Sequence, residues 1–126
     1  MTRVAMDANA LMMPVEVGVR LFEELDRTLG SYDAVVPDCV VAELSKLAER
    51  GGEEGKAASV GADLATRCDA VETEEPYADD AIYGLATRGD VDAVVTNDGP
   101  LKERLLDAGV PVIHLRGRNQ LTITQP

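Results

Sequence analysis

The sequence predicts a three-layer α/β/α sandwich around a central, mostly parallel sheet. Apolar runs of strand length alternate with helical patterns from one end of the chain to the other. Such alternation implies parallel strands with helices over both faces. The 126 residues suffice for one core of ordinary size, with no repeat, low-complexity segment or linker to divide them, so one domain over residues 1–126 is expected.

The elements follow in order. Arg3–Met6 reads as the first strand. Val15–Leu29 reads as a helix with Val15, Val19, Phe22 and Leu25 on one stripe, closed by Gly30-Ser31. Ala34–Pro37 is a second short strand, after which Asp38 is placed to cap a helix through Arg50, ended by Gly51-Gly52. Glu53–Thr66 has an Ala-rich helical face, and Asp69–Glu72 is a third strand. Pro76 breaks the chain before a helix over Ala78–Arg88. Asp92–Thr96 is a strand, Pro100–Ala108 a helix stopped by Gly109, and Val110–Leu115 a strand. Leu121-Thr122-Ile123 adds a short edge strand.

Several classes are disfavoured. A carboxylate at Asp7 interrupts the opening apolar run, and nowhere do about 18 apolar residues stand together, so neither a secretion signal nor a membrane span is expected. The expected location is cytoplasmic, where Cys39 and Cys68 read as small buried apolar side chains. Twenty-three acids against twelve bases give a net charge of −11. That balance weighs against a nucleic-acid partner in dilute buffer. Two explanations compete: the protein never meets nucleic acid, or its surface is halophilic, adapted to about 1 M salt, where the Debye length is about 3 Å and repulsion is screened. Few lysines beside abundant acids suit the second.

Sites of open α/β sheets form beyond the carboxyl ends of the strands. Asp7 directly follows the first strand, where a buried carboxylate is costly unless something positive meets it; a helix cap is the plainer reading. Asp98 repeats that placement after Val94-Val95-Thr96, again with a cap as its alternative. Glu43 stands on the margin of the stripe formed by Val40, Leu44, Leu47 and Ala48. Asp79 and Asp80 open a helix, as the helix dipole favours, and Asp79 falls at the edge of the core face while Asp80 points away. Asn9 reads as a cap rather than a ligand. Gathered together, such acids repel, and a hard divalent cation is the natural compensation. Oxygen ligands suit Mg²⁺ or Mn²⁺. His114, alone in an apolar strand, reads as structural.

The ordered set resembles the PIN-domain nucleases: Met6-Asp7-Ala8-Asn9, Val41-Ala42-Glu43-Leu44, Asp79 with Ile82 and Ala86, and Thr96-Asn97-Asp98. Within that family, Ala78–Ile82 and Pro111–Arg118 are most similar to archaeal single-domain relatives of the rRNA-processing endonuclease of the small-subunit processome; VapC-type toxins share the acids. The resemblance implies a divalent-metal-dependent endoribonuclease hydrolysing single-stranded RNA or structured rRNA. Asp7, Glu43, Asp79 and Asp98 would carry catalysis and hold Mg²⁺ or Mn²⁺, with Asp80 an added ligand candidate and Asn9 and Thr96 orienting the carboxylates. Lys46, Lys102, Arg116 and Arg118 are the expected phosphate contacts. Four aromatic residues are too few for an extended base-stacking platform, so a protein partner, a processing factor or an antitoxin, is expected to help deliver RNA. A homodimer is a further possibility. A catalytically silent binding module and a receiver-like phospho-acceptor domain are the competing readings; the second wants paired acids after the first strand, which Met6-Asp7-Ala8 lacks.

Overall fold

The computed structural model describes residues 1–126. Six strands form one sheet: β1 (Thr2–Met6), β2 (Tyr32–Pro37), β3 (Asp69–Val71), β4 (Ala93–Val95), β5 (Val112–Arg116) and β6 (Gln120–Thr124). Their order is β3-β2-β1-β4-β5-β6, with every neighbouring pair parallel except the β5–β6 hairpin. This is the mostly parallel sheet expected. Val4, Ala5 and Met6 of β1 and Val94 and Val95 of β4 are all fully buried. Successive residues of a strand point to opposite faces, so both faces of the central strands are covered.

Six helices do the covering: α1 (Ala8–Glu16), α2 (Leu21–Leu29), α3 (Asp38–Glu49), α4 (Gly52–Ala65), α5 (Ala78–Thr87) and α6 (Gly99–Asp107). The single helix expected over Val15–Leu29 is a correction: the chain makes two, parted at Gly18, whose φ of 72° is a left-handed conformation natural to glycine. The expected helix starts at Val15, yet Pro14 lies inside α1, which begins at Ala8. A helix-interior proline costs about 3 kcal/mol. Burying Leu11, Met12 and Met13 at about 1.5–3 kcal/mol each outweighs it.

Asp38 is also displaced from its expected role. Pro37 occupies the cap, and Asp38 is the first helical residue, its Oδ1 accepting from the Thr73 hydroxyl at 3.0 Å and the Thr73 N–H at 3.3 Å. That carboxylate ties the start of α3 to the segment leading into α5.

The Ala-rich face of α4 packs against α1 and α3. A side chain at Gly61 would lie 3.1 Å from the Leu11 carbonyl oxygen, so this glycine allows the two helices to approach. One contiguous apolar cluster of 31 buried residues joins sheet and helices. No helix is long and apolar enough to cross a membrane. Cys39 and Cys68 are free and half-buried rather than fully enclosed as expected.

Candidate active site

The strand order reverses direction between β1 and β4, and the crevice of such a sheet lies past the carboxyl ends of those two strands. Asp7 and Asp98 flank it. Asp7, only 5% exposed, caps α1: its Oδ1 accepts the Ala10 N–H at 2.7 Å, and its Oδ2 accepts from the Thr96 hydroxyl. Burial pushes the Asp7 carboxyl up to about 7, although both hydrogen bonds pull downward, and the charges of Asp79 and Asp98 add to the rise.

Asp98 caps α6, its Oδ1 accepting the Leu101 N–H at 3.0 Å. Its own N–H donates to the Thr96 hydroxyl at 3.0 Å. Capping therefore occurs at both acids, as the plainer reading had it. The cap of Asp98 engages one oxygen and leaves the second without a protein partner, whereas both Asp7 oxygens accept a hydrogen bond and each keeps a further lone pair.

Asp79, in the first turn of α5, is raised by partial desolvation and then by the charge of Asp98, with Arg104 pulling the other way. Glu43, on α3, is raised by partial desolvation and then by Asp79. Glu43, Asp79, Asp98 and Asp7 thus form a chain of like charges that feel one another. None of the four has a basic partner within salt-bridge distance; the six ion pairs of the chain all lie elsewhere.

Asp80 behaves differently. Its carboxylate receives Arg104 at 3.2 Å, and that guanidinium lies 4.3 Å from the centre of the Tyr83 ring. The two adjacent acids at the start of α5 line the same cleft but differ in partners: Asp80 is paired with Arg104, whereas Asp79 has no cation within salt-bridge distance.

As the side chains stand, no three acids come together closely enough to share one metal ion. The donor set still suits a hard divalent cation, because it is all oxygen, mutually repelling and has no basic side chain in direct salt-bridge contact. A buried acid raised as far as Asp7 is what an uncompensated carboxylate does in place of ionising.

Beside these acids opens a cleft of about 720 Å³, lined by Glu43, Asp79 and Asp80, by the cations Lys46 and Arg104, and by Tyr77. Of the expected phosphate contacts, Lys46 is in this cleft. Lys102 is half-buried on α6 and does not line it. Arg116 ends β5 and Arg118 lies in the β5–β6 turn, both exposed. Because β5 runs parallel to β4, that turn stands at the same edge of the sheet as Asp98.

Asn9 is not the cap: Asp7 takes that position, and Asn9 Oδ1 instead accepts the Asn97 N–H at 3.0 Å. Asn97 itself went unnoticed in the sequence. Its Oδ1 accepts the Leu115 N–H at 2.7 Å and its amide nitrogen lies 3.0 Å from the Met13 sulfur, so it pins the β4–α6 loop to both α1 and β5. The available signal was its place between Thr96 and Asp98, since loop asparagines favour bonds to nearby backbone. His114 has the structural role expected, with Nε2 at 2.6 Å from the Thr124 hydroxyl across the hairpin.

Comparison with known proteins adds to this geometry. The PIN like domain family matches residues 4–118. Ribonuclease VapC4 of Methanocaldococcus jannaschii is 26% identical over 127 residues, spanning 98% of this chain and 97% of that protein. Among solved structures, the PIN domain endonuclease Utp24 superimposes with a TM-score of 0.80 at 27% identity, covering 98% of this chain and 92% of the other. The VapBC2 structure from Rickettsia felis, bound to a DNA fragment from its promoter, has a TM-score of 0.64 at 11% identity over 90% of this chain and 98% of the other, which is a likeness of fold alone.

Proposed function

Since the chain belongs to the PIN-like domain family, a nuclease family, we propose that it is a divalent-metal-dependent endoribonuclease that hydrolyses phosphodiester bonds of single-stranded RNA, acting in rRNA processing. The observation that carries the reading is the placement of Asp7. A buried carboxyl at the reversal point of the sheet is raised to about 7 and surrounded by further acids, with no basic side chain paired to it. Capping α1 accounts for one oxygen of Asp7, and a bound cation would offset the burial and the neighbouring acids that raise its carboxyl, which supports the reading.

Asp7, Asp79 and Asp98 would hold Mg²⁺ or Mn²⁺, with Glu43 of α3 completing the set. The ion's chemistry there is Lewis acidity toward a phosphoryl oxygen and a lowered pKa for attacking water. The chain's own groups do the positioning. Thr96 fixes the direction of Asp7 Oδ2, and the α6 cap fixes Asp98. The amino-terminal ends of α1, α5 and α6 face this region, and their dipoles ease the crowding of negative charge. Lys46 and Arg104 contact phosphates along the cleft, and Arg116 and Arg118 extend the path beyond it.

The decisive experiment incubates single-stranded RNA with the protein in Mn²⁺ and in EDTA, beside Asp7→Asn. Cleavage should require the metal and vanish in the variant. Equal cleavage by Asp7→Asn overturns the role of Asp7, and cleavage unaffected by EDTA overturns the metal. The full-length match to a VapC ribonuclease favours a second reading, a toxin silenced by a small antitoxin seated over the acids. A toxin arrests growth when expressed alone; a processing enzyme is tolerated and associates with precursor rRNA.

A further inference from the structure

We infer that Tyr77 is a nucleobase-stacking residue, holding one base of the RNA at the lip of the acidic cleft; this deepens the nuclease reading above and rests on it. The chain has four aromatic side chains, and three of them are engaged within the protein. Phe22 lies under the Arg67 guanidinium at 3.9 Å, Tyr83 lies under Arg104 at 4.3 Å, and Tyr32 donates its hydroxyl to the Phe22 carbonyl at 3.3 Å. Tyr77 is 71% exposed, with no cation over its ring and no hydrogen bond from its hydroxyl. It is the one aromatic residue among those lining the cleft.

Its placement relative to the acids is fixed by the backbone. Tyr77 occupies the cap position of α5 with extended dihedrals, φ −104° and ψ 135°, just after Pro76 and two residues before Asp79. A base seated on the ring is therefore held close to the acid chain. Lys46 lines the same cleft, has no acidic partner within salt-bridge distance, and stands ready for the attached phosphate.

The chemistry matches single strands. An aromatic face accepts any unpaired base, and a nearby cation takes the backbone charge without reading sequence. In a duplex the bases are already stacked and unavailable, so one exposed ring beside one free lysine selects unpaired RNA over paired RNA. With one ring, a single nucleotide is gripped rather than a run, which agrees with the scarcity of aromatics in the whole chain.

The test measures binding of a short fluorescent RNA by anisotropy with Ca²⁺ in place of Mn²⁺, so that affinity is read apart from cleavage, using oligomers with one abasic site moved along the strand. Tyr77→Ala should weaken binding of intact RNA by roughly 5- to 150-fold. Tyr77→Phe and Tyr77→Trp should retain it. At one abasic position the wild-type protein should lose that same factor, and Tyr77→Ala should lose nothing more. In Mn²⁺, Tyr77→Ala should raise KM more than it lowers kcat. Wild-type affinity in Tyr77→Ala, or a penalty equal at every abasic position, overturns the stacking role while leaving the nuclease reading intact. If wild-type protein neither binds nor cuts RNA, the nuclease reading itself fails, and this inference with it.

Discussion

The hydroxyl of Thr96 donates a hydrogen bond to the buried carboxylate of Asp7, joining the ends of two neighbouring strands across 89 residues of sequence. The same hydroxyl accepts the N–H of Asp98 at 3.0 Å. One fully buried oxygen thereby sets the relative positions of two acids at the reversal point of the sheet.

Removing that oxygen should loosen both acids. Thr96→Val keeps the shape but strips Asp98 N–H and Asp7 Oδ2 of their partner. The expected loss is about 10- to 100-fold in metal affinity or activity. An unsatisfied buried group costs a further 1–3 kcal/mol, roughly, in stability. Thr96→Ser should restore most of both. A Mn²⁺ titration of RNA cleavage alongside a thermal melt measures the pair; a Thr96→Val protein with an unchanged Mn²⁺ midpoint would rule out the positioning role.

The two acids at the start of α5 should separate on substitution. Asp79→Asn removes a member of the coupled acid chain, and RNA cleavage should fall toward the EDTA background. Asp80→Asn breaks only an exposed pair with Arg104, worth about 0–1 kcal/mol, and should leave the Mn²⁺ requirement unchanged. The comparison is made on initial rates at saturating Mn²⁺. Identical losses in both variants would contradict the division of roles.

Stability should depend on pH through Asp7. Its carboxyl is raised to about 7 in the folded protein from 3.8, so the folded state binds the proton more tightly than the unfolded chain. Its contribution is therefore most favourable below the unfolded value, declines as pH rises, and is fully lost above about 7. The difference is on the order of 4 kcal/mol. In EDTA, Asp7→Asn should flatten the fall in stability between pH 5 and 7.5, roughly, and should be the more stable protein above that window. Divalent metal should reverse the order. Urea midpoints across the window provide the measurement, and parallel profiles for wild type and variant would refute it.

Salt should stabilise the fold. A net charge of −11 spread over this chain leaves many acids without partners. Screening at about 1 M KCl, where the Debye length is about 3 Å, relieves their repulsion. Unfolding midpoints should climb from dilute buffer to molar KCl, and RNA binding should persist there. A midpoint independent of KCl would show that the acidic surface is not an adaptation to salt.

Much of this was legible in the linear chain, for reasons that particular residues make plain. Hydrophobic period and turn chemistry are local, so β1, β4 and α5 are found within a residue or two of where the pattern places them, and the sheet class follows from their alternation. The helical wheel placed Asp79 nearer the core face than Asp80; in the fold both are exposed, and what distinguishes them is the ion pair between Asp80 and Arg104. What the sequence mislaid was decided by balances between distant groups. Pro14 stays helical because buried methionines and Leu11 outweigh its missing hydrogen bond. Asn97 matters because β5 and α1 lie on either side of it, and Tyr77 stands out because the other three rings found partners elsewhere in the fold. By itself, the order of residues determined which groups are apolar, which are acidic and how far apart they lie along the chain. Only the tertiary structure decided that Glu43, Asp79, Asp98 and Asp7 would feel one another's charge, because electrostatic coupling depends on separation through space and on burial, and neither is a property of the chain in line.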